Sequence, residues 1–319
     1  MTIAFYKDDI KRPDGVPEKG GIMDIKVGSA NPFPRMLAEG LWVLGNYHFN
    51  LYLVKGEQAS ALIEVGISAV VDEVIRQLDA LAVRPTYLVV THPHSDHVTG
   101  LAGLKESFPE AHVVAAEGAA EFLAHPKAAP TLVADDRYMT KFLASRGLIP
   151  GRPPVKEPPS LADCLIAADG DKIDLGGLTL RFLVVRGHAP GKIVAHVPEI
   201  RALILSDSLG FRFPGRGVLP LPLTNYDEYM AALDRLQGLD PVIVGVAHQG
   251  PIVGDEVARA FGEAREQAAA LRTKILEDTR QPQEIARDLF DQYYRDELLV
   301  YTRKNILNCA SLIVRRARE

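Results

Sequence analysis

The chain reads T-H-P-H-S-D-H-V-T-G at residues 91–100. His92, His94, Asp96 and His97 put four nitrogen and oxygen donors into six residues, a density that core packing does not call for. Imidazole and carboxylate together suit zinc, iron or manganese. Adjacent positions cannot all converge comfortably on one small ion, so the donors are expected to divide between two. The motif directly follows Y-L-V-V-T (87–91), an apolar run that predicts a buried strand. The end of such a strand is where a rigid sheet can present ligands.

The same arrangement recurs downstream. His188 lies in VVRGHAPG after the run LRFLVV, Asp207 in LILSDSLG after ALILS, and His248 in VIVGVAHQG after PVIVG. Each is a ligand-type residue where an apolar strand stops and a small-residue turn begins. Glycine there lets the backbone bend close to an ion or a substrate. Five of the nine histidines occupy these strand ends, which sets them apart as a group from ordinary structural histidines.

Around these points the chain alternates strand and helix patterns. LWVLG, LYLVKG and SALIEVG (from Leu41 to Gly66) predict successive strands. ISAVVDEVIRQLDALAV repeats apolar residues at helical spacing. HVVAA predicts a further strand, and residues 120–160 one or two helices ending in the turn-rich GLIPGRPPVKEPPS. The 145–160 segment reads as a lid or a long surface connection. DKIDLG, LTLRFLVV, IVAHV and ALILSD form a second set of strands, followed by the helical YMAALDRLQGL. From about Asp255 the chain becomes helical in three long runs rich in Ala, Glu, Arg and Leu. The expected plan is a loose lead-in over 1–35 within a catalytic domain 1–253, then a helical C-terminal extension 254–319.

The pattern HxHxDH with a later GHxPG, a strand-end Asp and a terminal His resembles the metallo-beta-lactamase superfamily. The resemblance runs from about Leu41 to Gly250. It implies an α/β fold, a four-layer αββα sandwich with the site at one edge of the paired sheets. It also implies two divalent metal ions per chain, zinc foremost, with iron or manganese as alternatives. His92, His94 and His188 would hold the first ion, Asp96, His97 and His248 the second, and Asp207 both. Glu64, in the strand-end turn E-V-G, would orient a ligand imidazole. The sequence departs from two branches. True beta-lactamases of the common zinc classes carry Cys where this chain has Asp207, and the diiron oxygen-reducing relatives usually carry Glu in place of His94. LIEVGIS, THPHSDHVTGL, SDSLGFRF and YDEYMAALDRLQGL are most similar to a smaller group, the quinolone-signal-response proteins of the 2-aminobenzoylacetyl-CoA thioesterase type.

The implied activity is hydrolysis by a hydroxide bridging the two ions, with Asp207 bridging and Asp96 as ligand and proton carrier. The expected substrate is a small molecule, an acyl thioester of the CoA type. A phosphodiesterase or lactonase on the same core is the alternative, and a regulatory partner-binding protein that retains its metals is a third reading. Leu209, Phe211, Phe213 and Tyr226 are expected as pocket walls, and His48 as a substrate contact. The stretch DQYYRDELLVYTRKN (291–305) could close the pocket or form a helix–helix or homodimer interface.

Bulk properties agree with a soluble enzyme. The net charge of -5, from 41 acidic and 36 basic residues, gives no support to nucleic-acid binding. Cys164 and Cys309 lie far apart without a disulfide framework. The first residues lack an apolar signal segment, and no stretch has the length of a membrane span. A cytoplasmic location without membrane association is expected.

Overall fold

The computed structural model describes residues 32–149 and 152–319. The predicted lead-in therefore lies almost wholly outside the described residues. The first sheet runs in chain order through β1 (Arg35–Ala38), β2 (Leu41–Gly45), β3 (Asn50–Lys55), β4 (Ser60–Ile63), β5 (Tyr87–Val89), β6 (His112–Ala115) and β7 (Leu165–Ile166). Its first four strands form an antiparallel meander. From β4 onward the pairing is parallel, because helices make the crossovers. These helices are α1 (Val71–Ala80), α2 (Ser95–Val98), α3 (Leu101–Ser107), α4 (Ala119–Ala124) and α5 (Ala128–Ser145).

The second sheet contains β8 (Lys172–Asp174), β9 (Thr179–Val184), β10 (Ile193–Val197) and β11 (Ala202–Ile204) as antiparallel neighbours. A separate hairpin follows, β12 (Phe211–Phe213) with β13 (Gly217–Leu219). After α6 (Tyr226–Gln237) the chain returns as β14 (Ile243–Gly245), parallel to β11, with β15 (Ile252–Val253) at the edge. Three helices end the chain: α7 (Glu256–Glu277), α8 (Pro282–Tyr293) and α9 (Arg303–Arg318).

The layering follows from side-chain alternation, since successive strand residues face opposite sides of a sheet. In β3, Tyr52 and Val54 point between the two sheets, where they join Ile63, Phe182, Ile193 and Ile204. Leu51 and Leu53 point outward, against a layer that includes Val74, Leu78 and Leu104. The outer face of the second sheet, with Val194, Leu203 and Val244, is covered by Leu233 and Leu236 of α6 and Phe261 of α7. The result is the αββα sandwich, with α8 and α9 added to the first helical layer through Leu289, Ile306, Ile313 and Val314.

Local signals set the helix boundaries. Asn225 accepts from the Glu228 amide at the start of α6, and Thr302 from the Asn305 amide at the start of α9. α8 opens with Pro282 at its first position. No helix among the described residues is long and apolar enough to cross a membrane.

Candidate metal centre

Four strands of the two sheets end at one rim, and each delivers a polar side chain there. Beyond β5 the chain passes through Thr91 and His92 into α2, whose N-cap is His94 and whose first turn carries Asp96 and His97. His188 follows β9, Asp207 sits in a 3-10 turn (Ser206–Leu209) after β11, and His248 follows β14. Three non-glycine residues at this rim adopt positive φ: Glu64 at 70°, Ser206 at 56° and Gln249 at 61°. Such backbone persists only where the surroundings fix it, and it is typical of functional sites. Gly187 is required by close approach. A β-carbon there would lie 2.2 Å from the Tyr229 amide nitrogen.

The donors form two groups that share one residue. His92, His94, His188 and Asp207 make the first, and Asp96, His97, His248 and Asp207 the second, with all ligand atoms of a group within 4.8 Å of one another. Nε2 of His92 lies 3.1 Å from Nδ1 of His94 and 3.3 Å from Nε2 of His188. Asp207 Oδ2 is 3.7 Å from both His92 and His188 and 3.1 Å from His97, while its Oδ1 is 3.5 Å from His248. Asp96 Oδ2 lies 3.2 Å from His97 and 3.6 Å from His248. All seven residues proposed from sequence therefore meet at one place.

The far sides of three of the rings are held. His188 Nδ1 donates to the Leu221 carbonyl at 3.0 Å, and His248 Nδ1 to the His48 carbonyl at 2.6 Å. His97 Nδ1 bonds Glu64 Oε2 at 2.9 Å, and the other Glu64 oxygen accepts from Thr91 at 2.8 Å. With Nδ1 engaged outward, each of these three rings turns the lone pair of Nε2 inward. Nε2 of His97 is buried and has no well-aligned hydrogen-bond partner among the described residues. An orphaned nitrogen facing carboxylates, within a mixed nitrogen and oxygen donor set, is what a borderline divalent cation requires. The residues fit a pair of such ions.

The electrostatics differ between the groups. Burial, reinforced by neighbouring cationic groups including Lys192, pushes His92 and His188 well below the usual imidazole range, and burial brings His94 to about 4. These three are neutral donors. Burial also opposes charge on His97 and His248, yet Asp96 and Asp207 outweigh it and raise both, with Glu64 adding to the effect at His97. Asp207 is held low against its own burial by His97 and His248. Lys192, 1% exposed, has no hydrogen-bond partner for Nζ among the described residues. Burial lowers its pKa against the pull of Asp207 and Glu64.

A cavity of about 320 Å³ opens on the cluster. His94, Asp96, His188, Asp207 and His248 form its floor, and Leu219, Leu221 and Leu223 one wall. Leu132 and Asp135 of α5 and Ile306, Cys309 and Leu312 of α9 complete the lining. Its described lining contains no lysine or arginine.

Of the residues expected as pocket walls, Phe211 alone reaches this cavity. Leu209 is fully buried in the α6–α7 layer. Phe213 lies farther along β12 and packs on Tyr293, with ring centroids 5.5 Å apart. Tyr226 begins α6 and lies under the Arg272 guanidinium, 4.2 Å from the ring centroid. His48 contributes its carbonyl to His248, while its ring packs edge-on to Phe142 and burial lowers its pKa to about 4. The described part of 145–160 supplies none of the lining. Arg152 pairs with Asp72 and Glu106, and the Val155 amide donates to Asp136.

Two site residues escaped individual notice in the sequence. Lys192 follows the G-H-A-P-G turn directly. Tyr301 falls within the aromatic stretch 291–305, and its hydroxyl donates to Asp96 at 2.9 Å.

The metallo-beta-lactamase superfamily model matches residues 48–248, which span every donor described above from His92 to His248. The chain belongs to this superfamily. Metallo-beta-lactamase fold-containing protein ST1585 of Sulfurisphaera tokodaii is 30% identical over 203 residues, covering 63% of this chain and 72% of that protein. Acyl-coenzyme A thioesterase MBLAC2 of Bos taurus is 27% identical over 200 residues, covering 59% and 66%. Against two further relatives the match spans less than half of their length. Among solved structures, the metallo-beta-lactamase family protein TTHA1429 of Thermus thermophilus superposes with a TM-score of 0.59 at 22% identity, over 89% of this chain and 95% of that one. The dual-metal donor cluster within this family supports metal-dependent hydrolysis.

Proposed function

We propose that the chain hydrolyses an acyl thioester of the CoA type, binding the acyl group in the cavity and leaving the thiol portion outside. The cavity carries this reading. Six leucines, Ile306, Phe122 and Phe211 give its walls extensive apolar surface beside Thr131, Asn305 and Asn308, and its described lining has no lysine or arginine. Beyond the proposed ions, a phosphodiester's charge would go without the arginine or lysine partner that it calls for. An uncharged carbonyl with an apolar substituent incurs no such cost, and burying the substituent contributes about 25 cal/mol per Å². At about 320 Å³ the space is near the lower end of ligand pockets, which suits an acyl group without its nucleotide-bearing carrier. The similarity to acyl-coenzyme A thioesterase MBLAC2 supports the same class. So do the four stretches similar to the 2-aminobenzoylacetyl-CoA thioesterase-type group.

In this reading His92, His94 and His188 would hold one ion, Asp96, His97 and His248 the other, and Asp207 both. Zinc is our assignment, from the borderline character of the donors. Bound there, the ions would supply Lewis acidity and a water acidified toward neutrality. The chain's own part is to orient and to exclude. Glu64 and two backbone carbonyls fix the imidazoles, the leucine walls keep bulk water from the acyl group, and Asp96 at the floor is placed to carry a proton toward the departing thiolate.

The test is a turnover screen with purified, metal-quantified protein. It compares acyl-CoA thioesters with lactones, bis-p-nitrophenyl phosphate and a beta-lactam. Thioester turnover well above the rest, abolished by a chelator and restored by zinc, is expected. Preferential cleavage of the phosphodiester would overturn the substrate assignment.

A further inference from the structure

We propose that Tyr301, brought in by the C-terminal helices, is a positioning residue for Asp96, and so for the ion on the Asp96, His97 and His248 side. This rests on the binuclear reading above. The Tyr301 hydroxyl donates to Asp96 Oδ2 at 2.9 Å and lies 3.2 Å from Nε2 of His248. Oδ2 is the same oxygen that faces His97 and His248. The phenol therefore holds the atom of Asp96 that belongs to the cluster.

The tyrosine is itself firmly placed. Its side chain is buried and packs edge-on to Phe211 and His248, with centroids 6.1 Å from each. Its carbonyl accepts from the Tyr294 hydroxyl at 3.0 Å. On its other side Thr302 and Asn305 donate to the two oxygens of Asp135 at 2.9 and 2.8 Å, which anchors the start of α9 to α5. Among the described residues no hydrogen bond runs from the extension directly to His92, His94 or His188. His188 is oriented by the Leu221 carbonyl, in a segment that α9 touches through Arg316 and the Leu223 carbonyl, and His92 lies against Thr91. The extension thus bears directly on one half of the centre and only at second hand on the other.

Partners of this kind typically contribute 10- to 100-fold to metal affinity. The full chain, stripped with a chelator, would be titrated with zinc against a chromophoric competitor, and reconstituted separately with cobalt(II) to read its visible bands. Tyr301→Phe keeps the ring and its packing. It is expected to weaken one of the two binding events by about 10- to 100-fold and to leave the other unchanged, with the bands of one cobalt ion altered. Asn305→Ala, which loosens the anchor, should weaken the same event by a smaller factor. Thermal melts of the stripped proteins verify that the variants fold. Wild-type affinity for both ions in Tyr301→Phe, or equal weakening of both, overturns the proposal while leaving the binuclear reading intact. A wild-type chain that binds no pair of ions overturns both.

Discussion

The floor and the roof of the cavity are built on different plans. The floor consists of donors at the ends of buried strands, with three of the imidazoles fixed from behind and three non-glycine residues held in left-handed backbone beside them. Conformations of that kind cost of order 1–3 kcal/mol each, so the surrounding sheets must over-determine them. The roof is made of apolar and neutral polar side chains from α5, α9 and residues 219–223, with α9 tied to Asp135 of α5 by side-chain hydrogen bonds. Changes at the floor should remove chemistry. In the thioesterase reading proposed above, changes at the roof should redirect it, because there the acyl group and not the reacting carbonyl would meet those residues.

The largest effect is expected at Asp207. Both of its oxygens are used, Oδ2 toward three histidines and Oδ1 toward His248. Asn offers one oxygen and no charge. Asp207→Asn should lose at least one ion by elemental analysis and lower kcat/KM by at least about 10³-fold. An active variant with two ions would mean that Asp207 does not join the halves. Removing the ions should be the next largest effect. An ion that binds only the folded chain stabilises it by about 2.7 kcal/mol at a hundredfold excess over its Kd. Two such ions give about 5.4 kcal/mol, so at roughly 2–4 °C per kcal/mol for a domain of moderate size the stripped protein should melt about 10–20 °C lower. Calorimetry with and without zinc checks this, and equal melting points would mean that the floor is stable without its ions.

The same contrast explains what the sequence made legible. The floor could be read because its ligands follow apolar runs with unmistakable strand character, and because four of them crowd into 92–97. Two layers of strands and the helical tail followed from periodicity alone. The roof is assembled by tertiary packing. Phe211 and Phe213 alternate onto one side of their strand, yet two residues of advance, about 6.6 Å, carry Phe213 out of the cavity and onto Tyr293. Tyr293, Tyr294 and Tyr301 look equivalent in sequence. The turn over Asp296–Val300 and the docking of Thr302 on Asp135 select which one turns inward. Lys192 reads as a surface charge, but its place immediately before β10 buries it within the electrostatic reach of Asp207 and Glu64.

A milder disturbance of the floor is available at Glu64. Gln there retains the length and one acceptor but not the charge that His97 faces at 2.9 Å. Glu64→Gln should weaken zinc binding by about 10- to 100-fold while preserving two sites at saturating metal. Competition titration measures this, and unchanged affinity would show that Glu64 serves its turn and not the ligand.

The smallest effect, and the most selective, belongs to Leu312 on the roof. It is only partly buried and lines the cavity from α9, as Leu132 does from α5. Phe at this position should be accommodated at its exposed edge while shortening the acyl space. One methylene in such a pocket is worth about 1–3 kcal/mol, or 10- to 200-fold in discrimination. Leu312→Phe should therefore raise KM about 10-fold for long acyl thioesters and leave short ones untouched, with both ions retained. A chain-length series from acetyl to octanoyl reads the shift directly. If every chain length loses kcat equally, the substitution has disturbed the floor, and the separation of chemistry from selection fails. If no chain length responds, the acyl group lies elsewhere than between α5 and α9, and the cavity ceases to support a thioester over any other small substrate of the same ions.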